Sequence, residues 1–210
     1  MRTVSVWYES FGCQMNAYDT EVIEGLLSGR GWRRAPSPGE ASVIIVNTCS
    51  VREHAETRAL GRLHDLSRHA GATLVVCGCM ARRMGEDLFS VVPGVDIVAG
   101  PDSYDGLPGA IRARLDGGGK YALLEQSDTV TYALPGDAGA GRVSRYLSIT
   151  RGCENFCTYC IVPYLRGPVR SKRADTIVDE VRRLVSGGAR EVTFLGQNVM
   201  AYGRDGVDFP

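Results

Sequence analysis

Val43-Ile44-Ile45-Val46-Asn47-Thr48-Cys49-Ser50 is the stretch whose reading decides the fold. An unbroken run of β-branched residues suits a strand buried on both faces, as in a parallel sheet. Behind it, Ser50 to Arg68 reads as a helix, with Ser50 as N-cap and Glu53 completing a capping box. A buried strand that runs straight into a helix is the repeating unit of α/β folds.

The unit recurs on both sides. Thr3 to Glu9 is rich in β-branched and aromatic residues, and Tyr18 to Gly29 carries Val22, Ile23, Leu26 and Leu27 at helical spacing. Arg34 to Glu40, with Pro36, Pro38 and Gly39, reads as a loop. Thr73 to Val76 is a further buried strand, and Asp96 to Ala99 another, ending in Gly100-Pro101. Together they predict a parallel sheet with helices on both faces.

Residues 116–142 differ. Gly117-Gly118-Gly119 and the run Pro135 to Gly141 mark a linker, with a strand around Tyr121 to Leu124. The division expected is 1–115, linker 116–142, and 143–210. The last segment opens with a strand at Tyr146 to Ile149, then a helix over Asp175 to Ser186 and a strand over Glu191 to Leu195. Two parallel strands and a helix cannot close a core alone. The chain is therefore expected to be the amino-terminal part of a longer protein.

The chain has 210 residues, 44% hydrophobic and 23% charged, as in an ordinary soluble domain. Lys+Arg and Asp+Glu are both 24, so no global charge draws it toward nucleic acid. Arg166, Arg170, Lys172 and Arg173 form a short basic run that reads equally as a partner-facing patch or a solvated loop. No apolar stretch approaches membrane-spanning length, and a cytoplasmic location is expected. Seven cysteines without a secretory leader argue for metal or catalysis rather than disulfides.

Those cysteines fall into two sets. Cys153, Cys157 and Cys160 lie in Arg151-Gly152-Cys153-Glu154-Asn155-Phe156-Cys157-Thr158-Tyr159-Cys160, a C-x3-C-x2-C spacing. Three thiolates on one loop can hold an iron–sulfur cluster and leave one iron free for a substrate or cofactor. Cys13, Cys49 and Cys79 each follow a predicted strand. In a parallel sheet those strand ends share one edge, where ligands bind, so these thiols can converge on a second cluster. Zinc normally takes four ligands and paired C-x2-C knuckles, which are absent. Cys77, inside a strand, reads as a buried apolar residue. His54, His64 and His69 are assigned no metal.

The C-x3-C-x2-C loop resembles that of radical S-adenosylmethionine enzymes. Gly12-Cys13-Gln14-Met15-Asn16, Asn47-Thr48-Cys49-Ser50-Val51-Arg52-Glu53, Gly78-Cys79-Met80-Ala81 and the loop Gly152 to Gly167 together resemble the methylthiotransferases, most closely the MiaB-type branch acting on tRNA. The resemblance implies an α/β amino-terminal methylthiotransferase domain followed by the start of a radical-SAM partial (β/α) barrel. It implies two [4Fe–4S] clusters, on Cys13/Cys49/Cys79 and on Cys153/Cys157/Cys160, with S-adenosylmethionine at the second. The implied reaction places sulfur and a methyl group on C2 of N6-isopentenyladenosine beside the tRNA anticodon. Two S-adenosylmethionine molecules are used, one as methyl donor and one cleaved to a 5′-deoxyadenosyl radical. The C2–H bond is strong and unactivated, so a cofactor radical is needed and the protein supplies orientation and exclusion of water.

The resemblance also places Tyr159 beside the cofactor's adenine, against the alternative of packing behind the loop, and Gln197 and Asn198 at its methionine amino group. Arg166 reads as facing the active site or as a surface residue. A reductase such as flavodoxin or ferredoxin is implied as electron source, and a monomer is expected. Glu154 and Met200 depart from residues more usual in the family, away from the cysteine pattern. Rival readings are a relative modifying a ribosomal-protein aspartate, one acting on threonylcarbamoyladenosine in tRNA, an electron-transfer or cluster-carrier protein, and a zinc-stabilised domain.

Overall fold

The computed structural model describes residues 4–51, 53–127, 132, 141–204 and 207–208. Thr3, Arg52, the Pro135 to Ala140 part of the expected linker, and Phe209-Pro210 lie outside the described residues. The chain is α/β, as the strand–helix units require. In chain order it runs β1 (Ser5–Ser10), α1 (Gln14–Ser28), β2 (Arg33–Arg34), β3 (Val43–Thr48), α2 (Glu53–Leu66), β4 (Thr73–Gly78), α3 (Cys79–Met84) and α4 (Leu88–Val91). Then come β5 (Ile97–Ala99), α5 (Leu107–Leu115), β6 (Tyr121–Leu123), β7 (Ser144–Ser148), β8 (Thr150–Arg151) and α6 (Val162–Arg166). The last elements are β9 (Arg170–Ser171), α7 (Ala174–Ser186), β10 (Glu191–Leu195), β11 (Gly203–Arg204) and β12 (Val207–Asp208).

Six strands pair in parallel in the order β2-β1-β3-β4-β5-β6. Every residue of β3 and of β4 is buried, because helices cover both faces. Val43 and Ile45 point into a core with Tyr18, Val22 and Ile23 of α1 and Leu107 and Ile111 of α5. Ile44 and Val46 point the other way, onto Ala59 and Leu63 of α2 and Met80 of α3. Each such fully buried aliphatic side chain contributes about 1.5–3 kcal/mol over its exposed state.

The second unit borrows its core. β7 and β10 pair in parallel, and Leu147, Ile149, Leu184 and Leu195 join the same apolar cluster as Tyr18 and Val22. The two strands and helix that could not close a core alone close it on α1, which touches β7 directly.

Several boundaries differ from expectation. α1 begins at Gln14, before the first apolar residue of its stripe, because Cys13 serves as its N-cap. α2 runs from Glu53 to Leu66, shorter at both ends than expected, and Ser50 Oγ donates to Glu56 Oε2 at 2.7 Å; the expected capping box involves the Glu53 side chain, which lies outside the described residues. Tyr121–Leu123 lies in the large sheet, beside β5. The basic run is neither a solvated loop nor an open patch. Arg166, Arg170 and Lys172 are buried and ion-paired, and only Arg173 pairs at the surface, with Asp175.

Candidate metal centres

The sheet order reverses at β1, which lies between β2 and β3. Ligands in such sheets sit outside the carboxyl ends of the strands at the reversal. There Cys13 follows β1, Cys49 follows β3, and Cys79 opens α3 after β4. Ser10, Phe11, Gly12, Cys13, Cys49, Val51, Ala55 and Arg58 line an open cleft of about 590 Å3.

Buried amides fix these strand ends. Asn16 Nδ2 donates to Asn47 Oδ1 at 3.1 Å and to the Thr48 carbonyl at 3.0 Å. Asn47 Nδ2 returns bonds to the Asn16 carbonyl at 3.0 Å and to Thr20 Oγ1 at 3.1 Å. Asn16 Oδ1 also accepts from the Cys13 N–H at 3.3 Å and from the Cys13 thiol at 3.4 Å. Gly12, at φ +133°, has no room for a side chain, since a Cβ would stand 2.5 Å from Cys49 Cβ. The backbones of the first two cysteine turns are thus in close contact.

Cys49 is buried, Cys79 is buried and Cys13 is exposed; none is in a disulfide. Burial pushes the Cys49 thiol up, and the neighbouring Cys79 and Cys13 sulfurs raise it further, while a backbone hydrogen bond from Val51 opposes the rise. Three cysteine sulfurs near one another offer soft ligands that suit an iron–sulfur cluster. Among the described residues no three His, Cys, Asp or Glu side chains are placed to hold a single metal ion. A tetrahedral zinc ion draws its thiolates to within about 3.8 Å of one another. A cluster of several irons spreads its ligand sulfurs more widely. Cys77 lies within the sheet, fully buried, with its thiol pushed well up by burial, as its reading as a core residue anticipated.

Cys153, Cys157 and Cys160 lie between β8 and α6, with β8 and β9 pairing antiparallel at the neck of the loop. Cys153 is buried, Cys160 half-buried and Cys157 exposed. The Cys153 N–H donates to the Gly167 carbonyl at 3.1 Å, and the Cys160 N–H to the Cys157 carbonyl at 2.9 Å. Gly152, at φ +84°, passes so close to the Pro168 carbonyl that any Cβ would overlap it. Glu154 Oε2 accepts from the Val169 N–H at 3.3 Å, so this departure from the family pattern fastens the loop. Phe156 adopts φ +45° and packs edge-on to Tyr164, centroids 6.0 Å apart.

The other expected site residues fall differently. Tyr159 is 89% exposed, so it does not pack behind the loop. Gln197 Oε1 accepts from the Gly152 N–H at 2.6 Å, which ties β10 to the cysteine loop. One lone pair of that oxygen remains for another donor. The Asn198 carbonyl accepts from Thr150 Oγ1 at 3.4 Å.

A network that the sequence reading did not identify joins the two sites. Asp19, fully buried on α1, accepts from Arg151 Nη1 at 2.9 Å and Nη2 at 3.2 Å, from Arg166 Nη2 at 3.2 Å, and from the Tyr104 hydroxyl at 3.3 Å. Arg166 Nε donates to Cys79 Sγ at 3.3 Å. Burial opposes the charge of Arg166, but Cys79 and Asp19 hold it protonated well above the usual guanidinium range. Arg170 pairs with Asp102, and Glu21 with Arg142 and Arg145. Lys172 Nζ binds Glu180, the Tyr18 hydroxyl and the Tyr132 carbonyl. The one available signal was charge in apolar company: Asp19 and Glu21 fall among the buried residues of α1, next to Val22 and Ile23.

The chain is similar to known proteins. Residues 5–100 match the model of uncharacterized protein family UPF0004, and residues 147–209 match that of the radical SAM superfamily. A tRNA-2-methylthio-N(6)-dimethylallyladenosine synthase of Geobacter metallireducens is 43% identical, over 94% of this chain and 46% of its own length. Synthases of the same name from Bacteroides thetaiotaomicron and Porphyromonas gingivalis are 44% and 45% identical, each over 94% of this chain and 44% of their own. The chain thus spans a little under half the length of these relatives. Among solved structures, the cobalamin-dependent S-adenosylmethionine radical enzyme OxsB superposes with a TM-score of 0.57 at 11% identity, over 97% of this chain and 35% of that one. That likeness is one of fold. The resemblance to the MiaB-type methylthiotransferases stands on the two family models in this order and on identity along nearly the whole chain. No helix among the described residues is long and apolar enough to cross a membrane.

Proposed function

We propose that this chain carries the two cluster-binding units of a radical S-adenosylmethionine methylthiotransferase that modifies C2 of N6-isopentenyladenosine in tRNA. The observation that carries the reading is the pair of free cysteine triads, one at the carboxyl edge of a parallel sheet and one on a tethered loop, joined through Asp19 and Arg166. Residues 1–115, with β6 completing their sheet, would form the first unit, the rest of 116–142 the connection, and 143–210 the beginning of a partial barrel.

Cys13, Cys49 and Cys79 would hold one [4Fe–4S] cluster, and Cys153, Cys157 and Cys160 the other, each with an open iron. Bound there, the clusters supply the electron for reductive cleavage of S-adenosylmethionine and a place for the transferred sulfur. The chain's own residues position and shield. Gly152, Glu154 and Gln197 hold the cysteine loop in register with β10. The free lone pair of Gln197 Oε1 and the Asn198 side chain would receive the cofactor's amino group, and the exposed Tyr159 ring would cover its adenine. The reaction needs a one-electron donor such as flavodoxin or ferredoxin; a tRNA substrate implies a cytoplasmic enzyme, and our reading takes it to be a monomer.

Anaerobic reconstitution tests the reading. The parent should bind about eight irons per chain, and Cys153→Ala/Cys157→Ala/Cys160→Ala about four. The full-length protein, given dithionite, should release 5′-deoxyadenosine from S-adenosylmethionine, and its triple variant should not. Bound zinc, or iron that both triads can lose without change, would sink the reading.

A further inference from the structure

Arg166 belongs to α6, just beyond the C-x3-C-x2-C loop, yet its guanidinium ends at the other cysteine site. Nε donates to Cys79 Sγ at 3.3 Å and Nη2 to Asp19 Oδ2 at 3.2 Å. Nη1 is buried and has no hydrogen-bond partner among the described residues. Asp19 also receives both Nη atoms of Arg151. One buried carboxylate therefore faces two buried guanidinium groups, and the surplus positive charge lies beside Cys79. An unmatched buried cation is costly unless something anionic sits near it. Three cysteine thiolates and the cluster they would hold carry net negative charge, and sulfurs accept hydrogen bonds.

We infer that Arg166 is a positioning residue of the first cysteine site, delivered from the second unit to hydrogen-bond the Cys79 sulfur and to offset the negative charge of the group that Cys13, Cys49 and Cys79 hold. The inference rests on reading that triad as a cluster site. It makes a link between the two units: the first site is electrostatically complete only when α6 is docked. Net charge and hydrogen bonds to sulfur set cluster potentials, so Arg166 favours the reduced, more negative form. Asp19 has the opposite effect on the same site.

The test is a redox titration in the Cys153→Ala/Cys157→Ala/Cys160→Ala background, where only the first site can hold iron. Arg166→Gln should lower the midpoint potential, raising the oxidised-to-reduced ratio at fixed potential about tenfold, or about 59 mV for one electron. Asp19→Asn should shift it the other way. Both variants break the same ion pair, so a purely structural role predicts shifts of one sign, or none. Equal potentials, or shifts of the same sign, overturn the inference while leaving the cluster reading intact. A background protein that takes up no iron overturns both. If Arg166→Gln alone holds no iron, Asp19→Asn and Arg166→Lys are read instead: a raised potential in Asp19→Asn with Arg166→Lys near the parent supports the inference, and an unchanged or lowered potential in Asp19→Asn overturns it.

Discussion

The two cysteine sites are built on opposite plans. Cys13, Cys49 and Cys79 come from three distant turns, and the sheet edge with its Asn16–Asn47 amide network brings them together. Cys153, Cys157 and Cys160 come from one loop, fastened at its ends by Gly152, Glu154, Gly167 and Gln197 but exposed at Cys157 and Tyr159. The first site depends on the fold being right. The second depends mainly on local tethers. Asp19 stands between them, since Arg151 precedes the loop, Arg166 follows it, and Arg166 also reaches Cys79.

If that contrast is real, the largest effect comes from the hub. Asp19→Ala strands two buried guanidinium groups and should cost about 3–5 kcal/mol in urea unfolding. It should disturb both sites together. A loss below about 1 kcal/mol would show that the two units do not depend on this carboxylate. Asn47→Ala is the sharper probe. It removes a buried amide that makes three hydrogen bonds and should cost about 1–3 kcal/mol. Iron at the first site should fall while the loop site keeps about four irons. Equal loss from both sites would erase the distinction between a fold-built and a locally built triad.

The same contrast explains what was legible in the sequence. The loop triad is a spacing, so it could be read directly. The sheet triad could be read one step less directly, because Val43 to Val46 and Thr73 to Val76 are unambiguous buried strands and each is closely followed by its cysteine. The charges were not legible. Arg166, Arg170 and Lys172 look like a surface run because sequence shows no partner for them. Their carboxylates lie far away in the chain for two of the three, Asp19 for Arg166 and Asp102 for Arg170. The start of α1 was missed for a related reason: Gln14 and Asn16 are polar, and Asn16 is buried by hydrogen bonds rather than by apolar periodicity. Local apolar pattern shows through a sequence, whereas a polar interface depends on tertiary pairing.

The smallest effects belong to the loop's own attendants, and they separate tether from ligand contact. Gln197 Oε1 accepts the Gly152 N–H at 2.6 Å, so Gln197→Ala should cost about 1 kcal/mol. Hydrogen exchange should quicken at Gly152 and Cys153 even without cofactor. Tyr159 is 89% exposed, so Tyr159→Ala should change stability by less than about 0.5 kcal/mol and leave the loop's iron unchanged. S-adenosylmethionine binding divides them. Tyr159→Ala should weaken it with no change in the unliganded loop, because the ring has nothing to do until an adenine stacks on it. Gln197→Ala should weaken it through the loop, with exchange rates and affinity changing together. A Tyr159→Ala protein that binds the cofactor as tightly as the parent would leave that ring no part in the site. A Gln197→Ala protein with an unaltered loop and reduced affinity would make Gln197 a ligand contact rather than a tether.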